Sequence, residues 1–164
     1  MEILLKAVRW TGLVSLPAFL WAIPHSPVLA GEIGSCADSL ISDGVAKLSA
    51  AAACSDALEP NDLASCVDNI IVESDEIKGI EALGACYRVR RPEELSSCFT
   101  TINSNLEQGS AMALDTCRRS LLPERHAECT VDLASLPEIS NEEAMASCIA
   151  AEFVPSEVSP QTVK

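Results

Sequence analysis

Residues 86–98 read CYRVRRPEELSSC, and this stretch holds the pattern that decides the fold. Pro92 stands midway between two cysteines, with five residues on either side. Proline fits the first turn of an α-helix but cannot continue a helix that precedes it. The stretch therefore predicts the end of one helix near Cys86, a short junction, and a new helix beginning at Pro92.

The same segment occurs three times along the chain. Its other copies surround Pro60, at residues 54–66, and Pro123, at residues 117–129. With Cys36 and Cys148 added, the steps between the eight cysteines alternate as 18, 12, 20, 12, 19, 12 and 19. A fixed period of about 31 residues is typical of a repeat array.

Each half of a repeat has helical periodicity. In the first half, apolar residues fall at offsets 0, 3, 4 and 7, as in Leu63, Cys66, Val67 and Ile70, which marks one buried helical face. In the second half, apolar residues three apart lead into the even cysteines. The expected buried positions there are Val45, Leu48 and Ala51 in one repeat and Ile77, Ile80 and Leu83 in the next.

Helix starts are also visible in the second halves. Ser104 with Glu107, and Ser140 with Glu143, have the spacing of a capping box and predict helix starts at these serines. Strand patterns are absent from the sequence. We therefore predict an all-α fold of tandem disulfide-stapled helical hairpins, a short α-solenoid or repeat bundle. The expected hairpins span residues 33–56, 60–90, 92–121 and 123–152.

Eight cysteines permit 105 disulfide connectivities. If each long step is a hairpin, its two cysteines face each other at similar distances from the turn. Pairing across the short steps would also be in register, but it leaves Cys36 to bond Cys148 at the far end of the array. Small residues precede all but one cysteine and predict the close helix approach that a disulfide needs. The favoured scheme is Cys36–Cys54, Cys66–Cys86, Cys98–Cys117 and Cys129–Cys148.

A metal site or cofactor is not expected. The cysteines form no C-x2-C pair and no C-x-x-C-H haem site, and phosphate-binding glycine motifs are missing. The architecture is similar to the disulfide-stapled, tetratricopeptide-like repeats of some secreted bacterial proteins. The Gly and Tyr positions that mark those repeats are missing here, so the likeness extends to architecture and assigns no family.

The first thirty residues have the pattern of a secretory signal. Lys6 and Arg9 precede an apolar run at residues 10–23, and small residues close the segment at Ala30. The run is about 14 residues long and contains a proline, which favours a cleaved signal over a membrane anchor needing about 20 residues. We predict a signal peptide at 1–30, a repeat domain at 31–154, a flexible tail at 155–164, and export to the periplasm or the extracellular space, with no stable membrane insertion after cleavage.

Charge limits the functions that the chain can have. The sequence holds 24 acidic and 11 basic residues, a net charge of −13, which disfavours binding of nucleic acid or anionic membranes by net charge. All six arginines after residue 30 lie around two proline junctions, where stacking of repeats would collect them on one rim. They are Arg88, Arg90, Arg91, Arg118, Arg119 and Arg125. The alternative is structural, with the arginines complementing helix ends and pairing with Glu93, Glu94, Glu124 and Glu128.

The sequence favours a non-catalytic binding protein. Repeat arrays offer extended surfaces, so the expected partner is another protein, bound through a helical face or the arginine-rich rim. His126 occupies the core-facing position held by Leu63 and Leu95 in other repeats, which favours a packing role. Two alternatives stay open: a small secreted hydrolase or lyase that uses His126 with a nearby carboxylate, and a structural component of an envelope or matrix.

Overall fold

Eight α-helices make up the regular structure of the chain in the computed structural model, which describes residues 31–106 and 109–153. Within these ranges there is no strand, so the all-α prediction is confirmed. The predicted signal peptide, the tail at 155–164 and Glu107 lie outside the described residues. The helices are α1 (Glu32–Ser42), α2 (Lys47–Asp56), α3 (Pro60–Glu73), α4 (Gly79–Cys86), α5 (Pro92–Asn105), α6 (Ser110–Arg119), α7 (Pro123–Ala134) and α8 (Asn141–Ala151).

The three prolines begin helices, as the sequence predicts. Pro60, Pro92 and Pro123 are the first residues of α3, α5 and α7. The residue before each proline is not helical, with φ between −126° and −142° and ψ between 72° and 87°, because the proline ring disfavours helical backbone at the preceding position. Each junction is therefore a short non-helical segment between two helices.

The helices form four hairpins stacked in two layers. Helices α1, α3, α5 and α7 pack successively against one another in the first layer, and each hairpin partner packs beside its own first helix. Contacts between the second-layer helices are sparser. The core therefore follows the first layer, and every junction lies at the same edge of the array.

The first-layer helices bury the predicted face. Leu63, Val67 and Ile70 of α3 are buried, and so are the equivalent side chains of α5. At the start of the array, Ile33 occupies the position equivalent to Leu63, and the same pattern predicts that it is buried. It is instead 37% exposed, because no repeat precedes α1 in the described structure to cover it.

The second-layer segments bury only some of the positions expected. Leu48 and Ala51 of α2 are exposed, as is Ile80 of α4, whereas Val45, Ile77 and Leu83 are buried. The reason is that the disulfide orients the helix, so that the residue four positions before each even cysteine also faces inward. This position is alanine in all four repeats, and each alanine has 0% exposure: Ala50, Ala82, Ala113 and Ala144.

One of the two predicted capping boxes forms. Ser140 caps α8: its hydroxyl accepts from the Glu143 N–H at 3.2 Å, and the Glu143 carboxylate accepts from the Ser140 N–H at 2.9 Å. The prediction for Ser104 is wrong, because this serine lies in the last turn of α5 and its hydroxyl donates to the Thr100 carbonyl. Helix α6 begins six residues later, at Ser110.

Four disulfides link the two helices of each hairpin. They join Cys36 to Cys54, Cys66 to Cys86, Cys98 to Cys117 and Cys129 to Cys148, with Cα–Cα distances of 5.8–6.1 Å. These are the pairs favoured by the spacing. Helix axes ordinarily lie 8–10 Å apart and Cα atoms lie about 2.3 Å from the axis, so these Cα–Cα distances fit ordinary helix packing. Four such bonds indicate an oxidising compartment, either extracellular or periplasmic.

Candidate functional site

The arginine rim consists of the six arginines in or beside the second junction, residues 87–91, and the third junction, residues 120–122. The first junction is residues 57–59. The structure brings these two junctions side by side, with the guanidinium of Arg91 donating to the carbonyl of Leu121 at 2.7 Å across the gap. All six side chains are exposed. Stacking of the repeats therefore does collect the arginines at one edge of an acidic molecule.

Half of these arginines have a carboxylate partner. Arg88 contacts Asp56 at 2.9 Å, Arg91 contacts Glu94 at 3.1 Å, and Arg119 contacts Asp115 at 2.8 Å. Of the pairings expected from the structural alternative, the described residues form only that with Glu94. All three pairs are exposed to solvent, where an ion pair contributes at most about 1 kcal/mol.

Arg88 is held in an unusual conformation. Its φ is +59°, in the left-handed region that non-glycine residues rarely adopt, and no other described non-glycine residue has a positive φ. The guanidinium lies 5.1 Å from the centroid of the Tyr87 ring, and it donates to Asp56 beside the Tyr87 hydroxyl. Hydrogen bonds from Tyr87 and Arg88 lower the pKa of Asp56. This cluster ties the first junction to the second.

Similar hydrogen bonds connect the second junction to the third, and the third junction to the residue that follows α8. Arg91 holds the carbonyl of Leu121, as described above, and the carboxylate of Glu152 accepts from the Ser120 hydroxyl and the Leu121 N–H at 2.5 and 2.6 Å. The sequence reasoning missed Asp56, Tyr87 and Glu152. The 31-residue period could have found them, because each lies 31 or 32 residues from its partner.

Three arginines share a groove between the second and third junctions. This rim groove has a volume of about 470 Å³, and its walls include Val89, Arg90, Arg91, Arg118, Leu121 and Pro123. Arg90 and Arg118 form no salt bridge with any described residue. Arg125 also lacks one, but it lies apart, beside a different cavity. The groove therefore combines two uncompensated guanidinium groups with apolar wall residues.

Acidic side chains border the rim groove on both sides. The neighbouring groove at the first junction is lined by Asp56, Glu59 and Asp62, and shares Arg90 with the rim groove. The groove between α4 and α6 is lined by Glu76, Glu81 and Asp115, and shares Arg118. The positive surface is consequently short along the rim.

His126 lies in a separate cavity at the last hairpin. The cavity has a volume of about 240 Å³ and is also lined by Arg125, Glu152 and the Cys129–Cys148 bond. His126 is 1% exposed, which confirms its core-facing position, yet neither ring nitrogen has a hydrogen-bond partner in the described chain. Burial lowers the pKa of this imidazole. The carboxylate that lines the cavity, Glu152, is already bonded to Ser120 and Leu121, so the described residues of the cavity form no hydrogen-bonded pair of histidine and acid.

Neither a metal centre nor a membrane-spanning helix emerges from the described residues. Over 31–106 and 109–153, no group of three or more His, Cys, Asp or Glu side chains is placed to hold a metal ion. No helix in these ranges is both long enough and apolar enough to cross a bilayer. Comparison of the chain with protein-family models, curated proteins and solved structures finds no significant match.

Proposed function

We propose that this chain is an exported helical-repeat protein that acts without catalysis, by binding another protein through the arginine rim. The observation that carries the proposal is the rim groove, in which Arg90 and Arg118 lie without a carboxylate partner among the described residues. Like charges gathered at one place repel one another, so an arrangement of this kind is stabilised when an anionic group binds.

Folding alone does not require these arginines. The positions equivalent to Arg90, four residues after the even cysteine, are Leu58, Leu121 and Glu152. The position of Arg118, directly after the cysteine, is filled in the other repeats by Ser55, Tyr87 and Ile149. All four hairpins form with the same disulfide geometry whichever residue is present. A role in binding accounts for the arginines better than a role in the repeat.

The four disulfides support the compartment in this proposal. They indicate an oxidising environment, which agrees with export through a signal peptide at 1–30. A stacked array also presents its junctions in a row, and such extended edges are used by repeat proteins to bind partners.

Site-specific crosslinking tests the proposed function. A photoreactive amino acid at Leu121, which is 59% exposed and lines the rim groove, should crosslink one discrete protein in the native compartment. The variant Arg90→Glu with Arg118→Glu should lose that product while keeping its melting temperature. The matched control is Lys47→Glu with Lys78→Glu, which makes the same change in net charge at the opposite edge. If the product persists in the arginine variant or disappears equally in the control, the rim is not the binding surface.

A further inference from the structure

The walls of the rim groove offer two kinds of contact. Arg90 and Arg118 supply guanidinium groups, which bind carboxylates through paired hydrogen bonds. Val89 and Leu121 lie on the same walls, and Leu121 is largely exposed. A ligand that places a carboxylate beside an apolar side chain would use both.

The length of the positive surface limits the ligand. Acidic residues line the grooves on either side, with Glu59 and Asp62 beyond Arg90 and with Glu76 and Glu81 beyond Arg118. A long polyanion, such as a sulfated glycan or an anionic membrane, would extend over these carboxylates and be repelled. An anionic group that ends within the rim groove avoids them.

The Leu121 backbone in the groove is already bonded. The Leu121 N–H donates to Glu152, and the Leu121 carbonyl accepts from Arg91. A bound segment therefore cannot pair with Leu121 as an added strand. At this wall of the groove, recognition has to come from side chains.

We infer that the rim groove binds a short acidic motif in the partner protein, one or two adjacent carboxylates next to a leucine-like side chain. This inference rests on the proposed function and specifies the chemistry of the partner. Arg90 and Arg118 hold the carboxylates, Val89 and Leu121 contact the apolar group, and the flanking acids exclude longer anions.

A peptide titration followed by nuclear magnetic resonance tests the inference on the full exported chain. The probe is an eight-residue peptide with two adjacent glutamates between leucines. Two comparison peptides replace either the glutamates by glutamines or the leucines by serines. We expect amide shifts confined to residues 88–91 and 117–121, and affinity at least tenfold lower for each comparison peptide. The variant with Arg90→Glu and Arg118→Glu should bind the glutamate peptide with at least tenfold lower affinity. The control with Lys47→Glu and Lys78→Glu should bind it with the affinity of the unmodified protein.

Heparin and phosphatidylglycerol vesicles serve as the long anions. We expect heparin and the vesicles to bind more weakly than the glutamate peptide. If either binds more tightly than the peptide, the inference is overturned in favour of a polyanion site. Equal binding of the glutamine peptide would overturn it as well. A third outcome separates the inference from the proposed function. If the peptide does not bind, but Leu121 still crosslinks a protein and the arginine variant loses that product, the acidic motif is wrong and the proposed function of the rim stands.

Discussion

The third and fourth hairpins share an arrangement of two helices joined by a disulfide but bury different side chains. Helix α5 packs between α3 and α7, and it buries Leu95, Phe99 and Ile102 with at most 2% exposure. At the equivalent positions α7 has His126, Thr130 and Leu133, and it packs in its layer against α5 alone among the described helices. His126 and Thr130 are buried without a hydrogen-bond partner in the described chain, and Leu133 is only half-buried.

This difference shows that position in the array governs what a repeat can bury. A central helix is covered on two sides, so each large apolar side chain removes much surface from water. Helix α7, the last of the first layer, is covered within its layer on one side by the described residues, and its polar side chains weaken the packing that remains. We therefore expect the free energy of unfolding to depend strongly on the third hairpin and weakly on the fourth.

The largest expected effect is the loss of Phe99. Phe99→Ala should destabilise the protein by about 3–5 kcal/mol, because it removes a fully buried ring and leaves a cavity in the core. Thr130→Val, at the equivalent position of α7, should instead stabilise slightly by removing a buried unpartnered hydroxyl. Urea unfolding followed by circular dichroism measures both. Similar losses in the two variants would show that the central and terminal repeats are equally important.

The disulfides give a second comparison with matched loops. The bonds Cys98–Cys117 and Cys129–Cys148 both close a sequence separation of 19 residues, so the loop-entropy model assigns each about 3 kcal/mol. Replacing the third pair by alanine should raise hydrogen exchange across the array. Replacing the fourth should raise it mainly in residues 123–151. Faster exchange throughout the chain in the fourth-pair variant would contradict the local role of the last hairpin.

The third prediction concerns His126 and pH. Burial lowers the pKa of the folded imidazole, so the unfolded chain binds the proton first, at about pH 6.5. Above that pH the imidazole is neutral in both states, and the free energy of unfolding has its full value. As the pH falls from there toward the lower folded pKa, the free energy of unfolding decreases, because only the unfolded chain binds the proton. Of the charged groups that face the ring, Arg119 reinforces the shift and Glu152 opposes it.

His126→Leu should remove this dependence, since Leu63 and Leu95 fill the same position in other repeats. The variant should be more stable by about 1–3 kcal/mol at neutral pH. It should also lose a slope of up to about 1.4 kcal/mol per pH unit just below pH 6.5. His126 is the only histidine after residue 30, so a protein expressed from residue 31 onward contains no other imidazole. Thermal melts at several pH values measure the slope, and an unchanged slope in the variant would assign it to other groups.

The smallest effect is expected at the helix caps. Ser140→Ala should destabilise α8 by about 1 kcal/mol, because it removes the hydroxyl that accepts from the Glu143 N–H. Helix α2 has no side-chain cap, although Ala46 has the extended backbone of a capping residue. Ala46→Ser should therefore stabilise by a few tenths of a kcal/mol to about 1 kcal/mol. Chemical denaturation of both variants measures these opposite changes in the free energy of unfolding. An unchanged value for Ser140→Ala would mean that the start of α8 is already frayed in the unmodified protein.

Covalent and periodic features made most of the fold predictable. Pro60, Pro92 and Pro123 begin helices because ring closure acts on the local backbone, whatever the surroundings. The cysteine spacing likewise indicated the hairpins. The buried face of α2 was not predictable from its apolar residues, since six of its ten residues are Leu, Ala or Cys and the disulfide selects the side that faces inward.

The candidate site was only partly predictable. Sequence spacing placed the arginines at two adjacent junctions, but it could not show which of them would find a carboxylate. That outcome depends on side-chain reach across repeats, as between Arg88 and Asp56, or within one helix, as between Arg119 and Asp115. The contrast between compensated and uncompensated arginines appears only in three dimensions.

The placement of the disulfides also determines how the chain responds to force. Every bond closes within one hairpin and none joins two hairpins, so tension on the ends can extend only the segment between one hairpin and the next. Such a segment spans 12 residues, or about 40 Å when fully drawn out, against about 110 Å for a whole repeat after reduction. The oxidised array can thus extend only through these short segments, and a reductant would more than double its maximum length.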